Sequence, residues 1–70
     1  MKKYLIVVEE TGSGYTAYCP DLPGCVVSGW THSEVEQKLR HSLALHLESL
    51  RQCGELLPEP HSFPTYIELP

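Results

Sequence analysis

Cys25-Val26-Val27-Ser28-Gly29-Trp30-Thr31-His32-Ser33-Glu34 is the stretch in which the chain changes its period, and the fold turns on it. Cys25 to Ser28 follows a dense breaker segment and reads as a third strand. Thr31 and Glu34 then stand at the spacing of a capping box. The Thr31 hydroxyl is expected to accept from the backbone amide of Glu34, while the Glu34 carboxylate reaches back to the amide of Thr31. A strand thus passes into a helix beginning at His32.

Downstream, Arg51 in a last turn, Gly54 just past it and Pro58 beyond mark the far end, so the helix is predicted over about His32 to Cys53. At 1.5 Å per residue it is about 33 Å long, a large span for so small a domain. A turn of 100° per residue sets Val35, Leu39, Leu43, Leu47, Leu50 and Cys53 on one arc about 120° wide, the pattern of a helix lying on a sheet. His46 falls inside that arc and reads as a packed histidine with one satisfied nitrogen. The opposite side carries Glu34, Gln37, Lys38, His41, Glu48 and Gln52, with Leu45 as its one large apolar residue and hence a candidate contact point. Trp30, just before the cap, has two roles open to it: a hydrophobic staple onto Val35, or an anchor for a partner.

Upstream, Lys3 to Glu9 is a β-branched and aromatic run bounded by charges, read as a strand buried on both faces. Glu10 to Gly14 supplies turn residues and Tyr15 to Cys19 resumes, giving a hairpin. Pro20-Asp21-Leu22-Pro23-Gly24 is a dense breaker, because two prolines fix φ and remove donors while glycine permits reversal. After the helix, Leu56 to Pro64 holds three prolines and reads as an extended connector, and Thr65 to Leu69 regains strand character.

The 70 residues suffice for one domain, 1–70, with no second unit or repeat. Folding a chain of this size hides only about 60% of its surface, so a homo-oligomer, dimer or tetramer, is expected for added burial. The longest apolar run, Tyr4 to Val8, is far below the roughly 20 residues of a membrane span and too short for the core of a secretory signal. Cys19, Cys25 and Cys53 form an odd set that suits reduced thiols, so the reading is a soluble, cytoplasmic protein without a bridge. Five Lys and Arg against nine Asp and Glu give a net charge of −4, and the basic residues are scattered. That distribution argues against direct nucleic-acid binding and favours a basic partner.

Chemistry finds little purchase. Nothing in the spacing favours Cys19 or Cys25 as a nucleophile paired with His32, His41, His46 or His61, and buried cysteines act mostly as small hydrophobes. Cys19 and Cys25 lack the gap of a zinc knuckle, and His41 and His46 diverge around the helix. Gly12-Ser13-Gly14 is followed by a strand, so it is a hairpin turn and no phosphate cradle. No cofactor, metal or catalytic residue is expected.

From Pro20-Asp21-Leu22-Pro23-Gly24-Cys25, through Gly29, Thr31 and Glu34, to Gly54-Glu55 followed by Pro58 and Pro60, the chain closely resembles the HicB-like antitoxin family. Val35 and Lys38 depart slightly, standing where the family often has alanine and asparagine. The resemblance implies an α+β fold in the order β-β-β-α-β, described as partial ribonuclease H-like. One four-stranded mixed sheet would carry one long helix on one face, with the last strand parallel beside the first and the third strand left as an edge. It implies no nuclease activity: two-metal hydrolysis needs converging carboxylates, and Asp21 is the only aspartate. It further implies neutralisation of a small basic HicA-like, mRNA-cleaving toxin by occlusion. Many members add a C-terminal DNA-binding segment, for which no room is expected before Pro70. The alternative is a stand-alone oligomeric domain with a regulatory or small-molecule role and no toxin. Trp30 and Leu45 are the nominated partner contacts; Pro20 to Cys25, Thr31, Glu34 and Gly54 are read as structural.

Overall fold

A computed structural model describes residues 2–70. Three strands and one helix follow in the order β1 (Val7–Thr11), β2 (Gly14–Tyr18), β3 (Val26–Gly29) and α1 (His32–Gln52). The sheet is antiparallel throughout, in the order β1-β2-β3. Val7 pairs with Tyr18 and Thr11 with Gly14, while Tyr15 pairs with Gly29 and Tyr18 with Val26.

The hairpin is tighter than the sequence suggests. Glu10 and Thr11 belong to β1, and only Gly12 and Ser13 lie in the turn, where the Thr11 hydroxyl accepts from the Ser13 amide at 3.4 Å. The expected first strand over Lys3 to Glu9 is displaced towards the turn. Continuing the register past Val7 would set Leu5 opposite Pro20, which has no N–H to give, so β2 ends at Tyr18 and residues 3–6 stay outside the ladder. The third strand likewise sits one residue later than Cys25 to Ser28.

Alternation decides which face is buried. Ala17 and Cys19 point towards α1 with Cys25, where they meet Val35, Leu39 and Leu43, and Leu22 folds in from the loop between β2 and β3. Tyr4, Ile6, Val8, Tyr15, Val27 and Leu47 pack around them half-buried. Each fully buried Leu22, Val35 or Leu39 contributes about 1.5 to 3 kcal/mol of burial free energy. The other face of the sheet is open: Val26 is exposed and Val7 and Tyr18 only half-buried, so the first strand is not covered on both faces.

The fourth strand is absent from this sheet. Thr65 to Leu69 is exposed and makes no strand, so no crossover returns beside β1, and β1 and β3 are both edges. What replaces the expected pairing is a set of ties to residues outside the ladder. Tyr4 donates its hydroxyl to the Pro58 carbonyl at 2.5 Å and Lys2 pairs with Glu59 at 2.5 Å, after which Asp21 binds residues 61 and 62. The chain from Pro58 to Ser62 therefore passes from residues 2–4, ahead of the first strand, to the β2–β3 loop, and the residues beyond are exposed.

The helix end follows its signals. Gly54 takes φ +76°, its amide donates to the Arg51 carbonyl at 3.1 Å, and the Glu55 amide donates to the Leu50 carbonyl at 3.0 Å, which is a Schellman closure. Cys53 is the cap residue and is exposed, outside the buried arc. His46, expected to be packed, is exposed as well. Five-residue strands span about 17 Å while the 21-residue helix runs over 30 Å, so its last turns overhang the sheet and an inward angular position there meets no partner.

Candidate functional site

The junction between β3 and α1 positions the one exposed tryptophan. Thr31 is the helix N-cap, in extended backbone at φ −131° and ψ 159°, and its hydroxyl accepts from the Glu34 amide at 3.1 Å. The reciprocal arm lands one residue earlier than the capping-box reading places it: Glu34 Oε1 accepts from the Trp30 amide at 2.8 Å, not principally from that of Thr31. Glu34 Oε2 lies 3.2 Å from Lys38 Nζ, which donates in turn to the Ser28 carbonyl at 2.9 Å. The Trp30 amide and the Lys38 ammonium hold the Glu34 carboxyl below its usual range against a small opposing burial effect. One carboxylate thus ties the first turn of α1 to the backbone on both sides of Gly29. That glycine leaves the room: a Cβ there would stand 2.9 Å from Glu34 Cδ.

The consequence is an indole presented to solvent. Trp30 is 75% exposed, so it does not bury against Val35 as a staple would, although Val35 itself is fully buried. Beside it lies a shallow hollow of about 400 Å³ formed by Tyr15, Thr16, Ser28, Gly29, Glu34 and Lys38. His32 stands at its border, edge-on to the Tyr15 ring at 6.1 Å between centroids and exposed, with Nδ1 3.8 Å from Glu36. Leu45 is 60% exposed on the outer face of α1. Thirteen residues of helix after His32 set it about 20 Å from the Trp30 end, so the structure does not bring the two nominated contacts into one patch.

The breaker segment divides its work. Leu22 and Cys25 enter the core, Gly24 takes φ +96°, and the Leu22 amide closes the turn on the Cys19 carbonyl at 3.1 Å. Asp21 does something sequence reasoning missed: its carboxylate accepts from the amides of His61 at 3.1 Å and Ser62 at 3.3 Å and from the Ser62 hydroxyl at 3.0 Å. Partial burial works to raise its pKa, but these hydrogen bonds outweigh it and hold the carboxyl below its ordinary value. No local pattern announces a contact over forty residues.

Cys19 and Cys25 are buried free thiols, as small hydrophobes would be, and Cys53 is free and exposed. Among the described residues no group of three or more His, Cys, Asp or Glu is placed to hold a metal ion, and no helix is long and apolar enough to cross a membrane.

These features define a two-layer β-β-β-α domain that presents its one tryptophan at the strand–helix junction. The chain belongs to the family described as HicB-like antitoxin of bacterial toxin-antitoxin system, which matches residues 4–70. It is similar to an uncharacterized 14.9 kDa protein from the rep-hol intergenic region of Haemophilus phage HP1, with 33% identity over 67 residues, 96% of this chain and 50% of that protein. A UPF0150 protein of Synechocystis is 40% identical over 48 residues, covering 67% of this chain and 61% of that protein. The chain therefore spans between half and about three fifths of the length of these relatives. Among solved structures it resembles a chain of the HicA3 and HicB3 toxin-antitoxin complex, with a TM-score of 0.68 and 33% identity over 87% of this chain and 71% of that one.

Proposed function

We propose that this chain is an antitoxin-type binding module that neutralises a small basic HicA-like ribonuclease by covering its active surface, with no chemistry of its own. The observation that carries this reading is the likeness to a chain of the HicA3 and HicB3 complex at a TM-score of 0.68. Membership of an antitoxin family points the same way, towards binding in place of catalysis. The partial ribonuclease H-like architecture belongs to the same proposal, because it needs a strand beside β1.

Nine carboxylates against five basic groups steer a basic surface inward, an effect on encounter rate that salt screens. Specificity then rests on a desolvated anchor, and Trp30 is the better placed of the two nominees. Its backbone is held by Glu34 while its indole stays exposed, so little backbone ordering remains to be done on binding. Leu45 is the second contact.

The test is a titration of the purified chain with the product of any adjacent short basic reading frame, at two ionic strengths. Nanomolar-to-micromolar binding that weakens with salt is expected, and Trp30→Ala should cost about 2 kcal/mol or more, as for an interface hot spot. Binding untouched by Trp30→Ala and Leu45→Ala would discard the surface. Failure to bind at all would favour the stand-alone oligomeric domain with a regulatory or small-molecule role.

A further inference from the structure

The hollow beside Trp30 contains a seat for a cation, and the chain fills it with a side chain of its own. Lys38 Nζ stands 2.9 Å from the Ser28 carbonyl oxygen and 3.2 Å from Glu34 Oε2, so an acceptor of the sheet and an acceptor of the helix converge on one point. The carbonyl belongs to β3, an edge strand, and Lys38 reaches it from outside the ladder. The carboxylate is held from behind: Glu34 Oε1 accepts from the Trp30 amide at 2.8 Å, and Gly29 lacks the Cβ that would push it away. The Trp30 amide is the chief reason that the carboxyl lies below its usual range, so it stays ionised when Lys38 leaves. Both acceptors are thus positioned by backbone, and neither needs Lys38 to stay in place.

The present occupant is loosely held. The Lys38 side chain is 49% exposed, and an ion pair in such a setting contributes little to stability. Its stem is flexible, so the ammonium can swing into solvent without moving α1. Once it does, Glu34 gives the hollow a negative charge, and the hydroxyls of Thr16 and Ser28 add further acceptors. The exposed indole of Trp30 lines the same hollow. A carboxylate, a strand-edge carbonyl and an open indole suit a guanidinium better than an ammonium. The planar fork offers donors to both oxygens while its face stacks on the ring, whereas an ammonium is a point charge with no face to stack.

We infer that an arginine side chain of the basic partner displaces Lys38 from Glu34 and the Ser28 carbonyl and stacks on Trp30. The inference rests on the reading of the chain as a module for a basic protein, and it names the chemical group that the Trp30 site takes. Lys38 is then a placeholder. In the free chain it keeps the carboxylate and the edge carbonyl paired, and it competes with the incoming guanidinium for both. A lysine at the same point of the partner would exchange one ammonium for another and gain less.

The experiment uses the purified chain and no toxin. N-acetyl-arginine amide is titrated into isotope-labelled protein, with N-acetyl-lysine amide as the ammonium control, and the NMR signal of the indole N–H of the single tryptophan is followed. A saturable shift with the arginine probe and a weaker response to the lysine probe are expected. Lys38→Met should tighten the arginine probe about threefold, the worth of a weak exposed ion pair, and Glu34→Gln should weaken it by about as much. Glutamine can still accept from the Trp30 amide, so helical circular dichroism should be unchanged and a loss of binding is not a loss of the cap. An unmoved indole signal, an equal response to the two probes, or binding indifferent to both Lys38→Met and Glu34→Gln would each overturn the inference. The antitoxin reading is judged apart from it: a basic toxin that binds a chain indifferent to the arginine probe keeps that reading and removes the seat, and an arginine probe that binds a chain no toxin engages does the reverse.

Discussion

Ser62 binds Asp21 twice, its hydroxyl donating to Oδ1 at 3.0 Å and its amide to Oδ2 at 3.3 Å, across 41 residues of sequence. The amide of His61 adds a third bond. The contact fixes where the connector leaves the body, because Leu57, Pro58 and Pro60 before it are half-buried and the residues after it are exposed. The only aspartate of the chain is therefore a clasp on the turn that the family signature contains.

The clasp titrates. Its folded pKa is depressed by donors that bind the ionised form, so its contribution to stability is fully present above the unfolded value of about 3.9 and is lost as pH falls through the lower folded value. Hydrogen exchange at the His61 and Ser62 amides should be slow at neutral pH and accelerate beyond the intrinsic trend below about pH 4. Asp21→Asn should show fast exchange at both amides without that pH step. Equal protection in the variant would mean that the carboxylate does not hold the connector.

The helix start offers a cleaner energetic test. Thr31→Ala removes the acceptor for the Glu34 amide, and urea unfolding should show a loss of about 1 kcal/mol. Thr31→Ser keeps the oxygen and should recover most of it. A neutral alanine variant would place the cap elsewhere.

Much of the fold was legible because its signals are local. The capping box, the Gly54 stop and the turn glycines each constrain a few consecutive residues, and their physics does not depend on what packs above them. What escaped depends on length and partner. The first strand loses residues 3–6 because Pro20 sits on the neighbouring strand, a fact visible only once the register is known. His46 has the angle of a core residue but lies where the helix has outrun a three-stranded sheet. Thr65–Leu69 has strand composition, yet composition cannot say which edge, or whose, it will meet. At the candidate site the exposure of Trp30 was one of two readings, and Glu34 choosing the Trp30 amide over that of Thr31 is what holds its backbone in place.

The overhang predicts unequal costs along one helical face. Leu39 is fully buried between sheet and helix, so Leu39→Ala should cost about 2 to 5 kcal/mol. His46→Ala shares nearly the same angular position and should change stability by no more than about 0.5 kcal/mol. Comparable losses at both sites in thermal or urea unfolding would mean that the sheet extends under the C-terminal half of α1.

Gly12 in the turn and Gly14 just after it should respond unequally to alanine. A Cβ at Gly12 meets nothing within 4 Å, and its φ is not positive, so Gly12→Ala should be nearly neutral. A Cβ at Gly14 would overlap the backbone carbonyl oxygen of Gly29 and come within 3.4 Å of Trp30 Cα, neither of which is the loose end of a side chain. The clash can be relieved only by parting β2 from β3 at the point where β3 feeds the helix cap. Gly14→Ala should therefore cost about 1 to 3 kcal/mol, the range of local backbone strain. It should also move the backbone that carries the indole, so its tryptophan fluorescence should differ from that of wild type while that of Gly12→Ala does not. If the two variants unfold at the same urea concentration and emit alike, the close approach of Gly14 to Gly29 does not set the position of Trp30.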